Sequence, residues 1–211
     1  MYPTYTRSER VADGSMHAIG VTGAVLGAIM LLVWSAPVAS PWEITAISVY
    51  AITLIGTFTA SAFYHMTPWE SIRPALRRID HAAIYLKIAG TYTPLVVMIG
   101  SGLAYVVLGI VWTLAVIGMV LKLVFWSRPG QFGPALYLIM GWMSIVLVWS
   151  SWEALPFGYI LAGGLLYTVG VVFHASKNMK FANAIWHGFV VAASACFFVA
   201  ITVVTTQQTV V

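Results

Sequence analysis

Of 211 residues, 61% are hydrophobic and 8% charged, with a mean hydropathy of +0.92, whereas soluble domains are roughly a quarter charged. That balance excludes an ordinary soluble domain, and the absence of alternating polar and apolar residues excludes a membrane barrel, so the chain is expected to be an all-α integral membrane protein. The excess of 10 Lys+Arg over 6 Asp+Glu reflects membrane orientation rather than a nucleic-acid partner, and the single Cys196 excludes an internal disulfide.

Residues 1–15 carry Arg7, Glu9, Arg10 and Asp13 and read as a polar cytoplasmic segment at the start of one seven-helix membrane domain, 1–211. The first apolar run, about 16–36, is too long for a signal-peptide core and forms helix one; Gly20, Gly23 and Gly27 keep its surface small for close helix contact. Helix two covers about 43–65, followed by an interfacial linker with Pro68, Arg73, Pro74, Arg77 and Arg78. Helix three covers about 80–99 and contains Lys87 and a Thr-Tyr-Thr-Pro run ending at Pro94, where a proline frees a backbone carbonyl and a kink is expected. Helix four covers about 104–125, and a turn with Arg128, Pro129 and Gly130 leads to helix five, about 135–151. Helices six and seven cover about 156–174 and 183–206.

Alternate loops separate the basic residues. Arg7 and Arg10 precede helix one; Arg73, Arg77 and Arg78 lie between helices two and three; Lys122 and Arg128 flank the next such loop; Lys177 and Lys180 occupy the last. The intervening loops have none, which predicts a cytoplasmic amino terminus and an external carboxyl terminus in the cell inner (plasma) membrane.

With that topology, His17, His65, His81, His174 and His187 all fall near the cytoplasmic ends of helices, joined by Asp80 at the start of helix three. Ionisable groups in membrane helices are costly and usually face the bundle interior, so this clustering points to a functional site. Ser61 and His65 are four residues apart, hence on one helix face about 6 Å from each other, and Asp80 returns to the same level. Imidazoles and a carboxylate converging from several helices are what zinc requires. Plainer readings stand beside this one. His17 and His81 read as interfacial or hydrogen-bonded residues, Ser61 can bond its own helix backbone, and Asp80 can pair with Arg77, Arg78 or Lys87. Lys87 either snorkels or neutralises a buried carboxylate.

Four stretches resemble the hemolysin III family, the bacterial branch of the progestin and adipoQ receptors that includes the adiponectin receptors: SAFYH at 61–65, RRIDHAAIYLKIAGTYTP at 77–94, Gly141-Trp142, and NAIWHGFVVAAS at 183–194. The resemblance implies seven helices with a cytoplasmic amino terminus. It also implies zinc held by His65 and by an H-x-x-x-H pair on helix seven, with Asp80 holding a zinc-bound water and Ser61 in the same cluster. Asn183 stands where the first histidine of that pair is expected, while His187 keeps the second, and Phe197 replaces a further histidine common in the family. If the family geometry holds, the ligand set is His65, His187 and position Asn183, with His174 the best residue to complete it.

Two classes of function follow. One is a zinc-dependent hydrolase of lipid amides, similar to the ceramidases, with Asp80 as general base and acid and Ser61 positioning the water. The other is a non-enzymatic regulator or sensor of membrane state, or the lytic activity for which the family was named. A transporter is a third reading, but most polar groups lie at one membrane level and no polar path across the outer half of the membrane is visible in the sequence. Membrane lipid is the expected partner in each case.

Overall fold

The computed structural model describes residues 5–125, 132–153, 155–176 and 179–207, and the regular structure among them is all α-helical. Its helices are α1 (Arg7–Ser35), α2 (Pro41–Met66), α3 (Arg73–Ile99), α4 (Gly102–Val124), α5 (Phe132–Trp142), α6 (Ser144–Ser150), α7 (Phe157–Ala175) and α8 (Ala182–Gln207). Six are long and apolar enough to cross a membrane, and Leu136–Ser150 adds a shorter apolar stretch. The fifth span of the sequence is therefore a broken helix, α5 followed by α6. Arg128, Pro129, Gly130 and Lys177 lie outside the described residues.

Two helices begin earlier than hydropathy implies. Thr6 caps α1 through a capping box in which Glu9 N–H donates to Thr6 Oγ1 and Thr6 N–H donates to Glu9 Oε2. Two orphan donors are thereby satisfied, and the helix starts at Arg7 instead of about residue 16. The polar stretch up to Ser15 is thus helical from Arg7 onward and carries Asp13 on the same helix as His17. Pro74 sits in the first turn of α3, where a missing N–H costs nothing, so the linker from Arg73 onward is helix too. Apolar content locates a span in lipid, whereas caps locate the ends of the helix itself.

Ser40 and Pro41 start α2 with a second capping box to Glu43. α3 runs through Pro94 and stops at Gly100, whose φ of 68° is the left-handed conformation that glycine adopts without steric cost. Ser101 then caps α4. The break after Trp142 is held by Tyr92, whose hydroxyl donates to Met140 O at 2.7 Å with Gly141 O at 2.9 Å, and by Trp142 Nε1–H, which donates to Thr168 Oγ1 at 3.1 Å.

Packing follows a circle: α1 on α2, α2 on α3, α3 on α5, α5 on α7, α7 on α8 and α8 back on α1, with α4 outside against α3. Tyr50, Ile47, Val96, Met140 and Ile201 are fully buried inside it, while Val33, Ile52, Val106 and Val172 face outward as a lipid-facing surface requires. Between apolar helices in lipid, close approach supplies much of the attraction. A Cβ on Gly20 would fall 2.5 Å from Phe58 and one on Gly27 3.3 Å from Phe198, whereas Gly23 has open space, so two of the three α1 glycines serve contact.

Candidate metal centre

Asp13 and His17 are one turn apart on α1, His65 is one residue from the end of α2, and His187 lies in the second turn of α8. These four residues come from three helices that meet in the circle. Their candidate ligand atoms all lie within 4.8 Å of one another. The imidazole centroids are 5.1 Å apart for His17 and His65, 4.3 Å for His17 and His187, and 4.6 Å for His65 and His187. His17 is 3% exposed, Asp13 6% and His187 7%.

The carboxylate is the hub. His187 Nδ1–H donates to Asp13 Oδ1 at 2.6 Å, a charge-assisted bond that engages one of its two ring nitrogens. His65 Nδ1 and His17 Nε2 lie 3.4 and 3.7 Å from Asp13 Oδ2, within ion-pair range but not hydrogen-bonded. Both nitrogens are buried and, among the described residues, have no hydrogen-bond partner. Leaving a buried polar atom unsatisfied costs about 1–3 kcal/mol. Two such atoms aimed at one carboxylate, with a third imidazole alongside, fit a cation as the missing partner. Asp and three His suit a divalent transition metal by donor chemistry, so this group could hold a metal ion.

Contacts at the helix ends set the register of α1 against α8. Glu9 Oε1 accepts from Phe181 N–H at 3.2 Å, and Asn183 Nδ2 donates to Tyr5 OH at 2.9 Å. Burial pushes the Tyr5 phenol above its ordinary pKa, against the smaller opposing effect of the Asn183 bond, so it remains protonated. A cleft lined by Tyr5, Arg10, Asp13, His65, Met66 and Asn183 opens beside the cluster.

Of the residues singled out from sequence, His65 and His187 are in the cluster. Asn183 lines the adjoining cleft, but its amide is engaged by Tyr5 and it is not one of the four converging residues. His174 is exposed and packs on the Trp186 ring at 5.0 Å. Asp80 is buried, lies 3.3 Å from His81 Nδ1, and is within electrostatic reach of His65 and His187. Ser61 is half-buried one turn before His65 and, among the described residues, has no hydrogen bond to its own helix backbone.

Asp13 is the residue that sequence reasoning passed over, and His17, placed at the right level, was read there as interfacial although it belongs to the cluster. Asp13 thus joins Asp80 as a buried carboxylate at this level. The signal was present as spacing, because Asp13-x-x-x-His17 repeats the interval of Ser61-x-x-x-His65 and Asn183-x-x-x-His187. Reading residues 1–15 as a tail outside the span concealed it.

Comparison with known proteins agrees with this architecture. Residues 5–198 match the family model described as Haemolysin-III related. The chain is 34% identical over 198 residues to the Hemolysin-3 homolog of Bacillus subtilis (strain 168), covering 92% of this chain and 93% of the relative. It is 34% identical over 194 residues to Hemolysin-3 of Bacillus cereus, covering 90% and 89% respectively. A human relative, monocyte to macrophage differentiation factor, is 29% identical over 202 residues, covering 92% of this chain and 83% of that protein. With apolar helices in the same chain, these matches establish that it belongs to the haemolysin III-related family of multi-pass membrane proteins.

Proposed function

We propose that this chain is a zinc-dependent membrane hydrolase of lipid amides, with the metal held by His17, His65 and His187 together with Asp13. The observation carrying the metal reading is the pair of buried, unpartnered nitrogens, His17 Nε2 and His65 Nδ1, beside a shared carboxylate. Bound there, zinc would supply an acidified water and a Lewis acid for a carbonyl oxygen. Asp13 orients His187 through its Nδ1–H, and burial of the cluster keeps bulk water from competing for the imidazoles. Asp80, buried and within electrostatic reach of His65 and His187, is the group to take the proton of an attacking water and return it to the leaving amine nitrogen. Ser61, one turn from His65, positions that water. The lipid amide comes from the resemblance to the adiponectin receptors and ceramidases, and the placement of the centre on the cytoplasmic side from the distribution of Lys and Arg.

A second reading has its own observation. Four donors are already assembled, and closed four-ligand zinc sites are structural while catalytic ones keep a position open. The metal would then fasten α1, α2 and α8 in a regulator of membrane state. Metal content and hydrolysis of a fluorescent ceramide, measured on untagged protein and on Asp80→Asn, separate these readings. About one zinc per chain, with hydrolysis that Asp80→Asn removes while zinc stays, supports the enzyme. Zinc without hydrolysis supports the regulator, and no zinc after supplementation refutes both.

A further inference from the structure

A second polar layer lies beneath the metal centre. From His65, Asp80, His174 and His187, seven residues deeper along each helix bring the chain to Phe58 on α2, Lys87 on α3, Tyr167 on α7 and Ser194 on α8. Seven residues are two turns, about 10 Å, on nearly the same helix face. These four residues meet. Lys87 Nζ donates to Ser194 Oγ at 2.7 Å and lies 4.7 Å from the Phe58 ring centroid and 5.2 Å from that of Tyr167. Tyr167 OH is 3.2 Å from Ser194 Oγ. Lys87 is 6% exposed, so it neither snorkels to an interface nor neutralises Asp80. Among the described residues no carboxylate comes within 4.0 Å of its ammonium.

Proton accounting shows what is missing. Ser194 donates its own proton to Val190 O at 2.5 Å, so its oxygen accepts from Lys87 and Tyr167. One of the three ammonium protons is then used and two are left facing aromatic rings. The layer therefore holds a positive charge and a surplus of donors without an acceptor. Cation–π contacts compensate a buried ammonium by only about 2 kcal/mol each, well short of its desolvation.

We propose that Lys87, held in place by Ser194 and Tyr167, forms a binding site for one small monovalent anion, a halide or a carboxylate, inside the helix circle. The anion accepts the free protons of Lys87 and neutralises its charge. Its binding ties α2, α3, α7 and α8 together two turns from the metal centre and requires no metal.

The test uses full-length protein, treated with chelator to remove metal, in uncharged detergent. Its unfolding midpoint is followed as sodium gluconate, whose anion is too large and hydroxylated to be buried, is replaced by sodium chloride or sodium formate at constant ionic strength. A saturable rise of about 5 °C is expected at a hundredfold the dissociation constant. A response to chloride alone identifies a halide site, and a response to formate alone a carboxylate site. Lys87→Met, which fills the same volume without charge, abolishes the response. Ser194→Ala, which removes the hydroxyl that positions the ammonium, raises the half-saturating concentration about tenfold. Equal midpoints in all three salts for the wild type, or an undiminished response in folded Lys87→Met, would overturn the proposal.

Discussion

Asp13→Asn tests whether the carboxylate of α1 belongs to the metal centre. The amide has nearly the same shape, and its oxygen can still accept from His187 Nδ1 at the site of the present 2.6 Å bond, so what changes is mainly the negative charge. That charge now faces three imidazoles, at 2.6, 3.4 and 3.7 Å. Asp13 both faces the site and accepts from the ligand His187, so losing its charge lowers metal affinity by at least the 10–100-fold, roughly 1.4–2.8 kcal/mol, typical of a carboxylate that only supports a ligand. Asp80→Asn provides the contrast. Asp80 is equally buried, but its near contact is His81 Nδ1 and it is outside the converging group, so zinc affinity falls less than about threefold. Competition of purified protein with a chromophoric chelator in detergent measures both constants, with elution volume and circular dichroism confirming the fold. If folded Asp13→Asn binds zinc within twofold of wild type, or if Asp80→Asn loses more than Asp13→Asn, the centre has been assigned to the wrong carboxylate.

Three other perturbations address the scaffold. Gly90→Ala places a methyl inside contact distance of Thr53 Oγ1 and 2.9 Å from Thr53 Cβ, and the β-branched threonine has little freedom to turn away. The α2–α3 contact is destabilised by about 1–3 kcal/mol, read as a lowered unfolding midpoint in detergent; an unchanged midpoint refutes the close packing. Asn183→Ala deletes the bond to Tyr5 outside the metal cluster, so zinc retention is unchanged. Loss of about 1 kcal/mol of local stability makes tryptic cleavage at Arg7 and Arg10 about fivefold faster, and loss of zinc instead would place the Asn183 position in the ligand set. Reporter domains fused after Ser101 and after Val211 both read as external if the basic residues set the orientation; a cytoplasmic signal from either inverts or breaks the topology.

Composition and hydropathy by themselves determined the class of molecule and nearly all of its spans, because about 20 apolar residues cross the hydrocarbon layer whatever their neighbours are. They also brought His65 and His187 to one membrane level, since helix length converts position in the chain into depth. The break between α5 and α6 was not legible, because the run through Met143 stays apolar and the interruption depends on Tyr92 and Thr168 from other helices. Nor was the depth of α1: a hydropathy window rejects Arg7–Ser15 as too polar for lipid, while the Thr6–Glu9 cap and the contacts with Phe181 and Asn183 make it helix within protein. Tertiary structure alone decided which polar residues face each other around the helix axes. Hydropathy records depth but not azimuth, so only the packing of α1 against α2 and α8 brings Asp13 and His17 to His65 and His187. The same packing places Lys87 against Ser194 instead of Asp80.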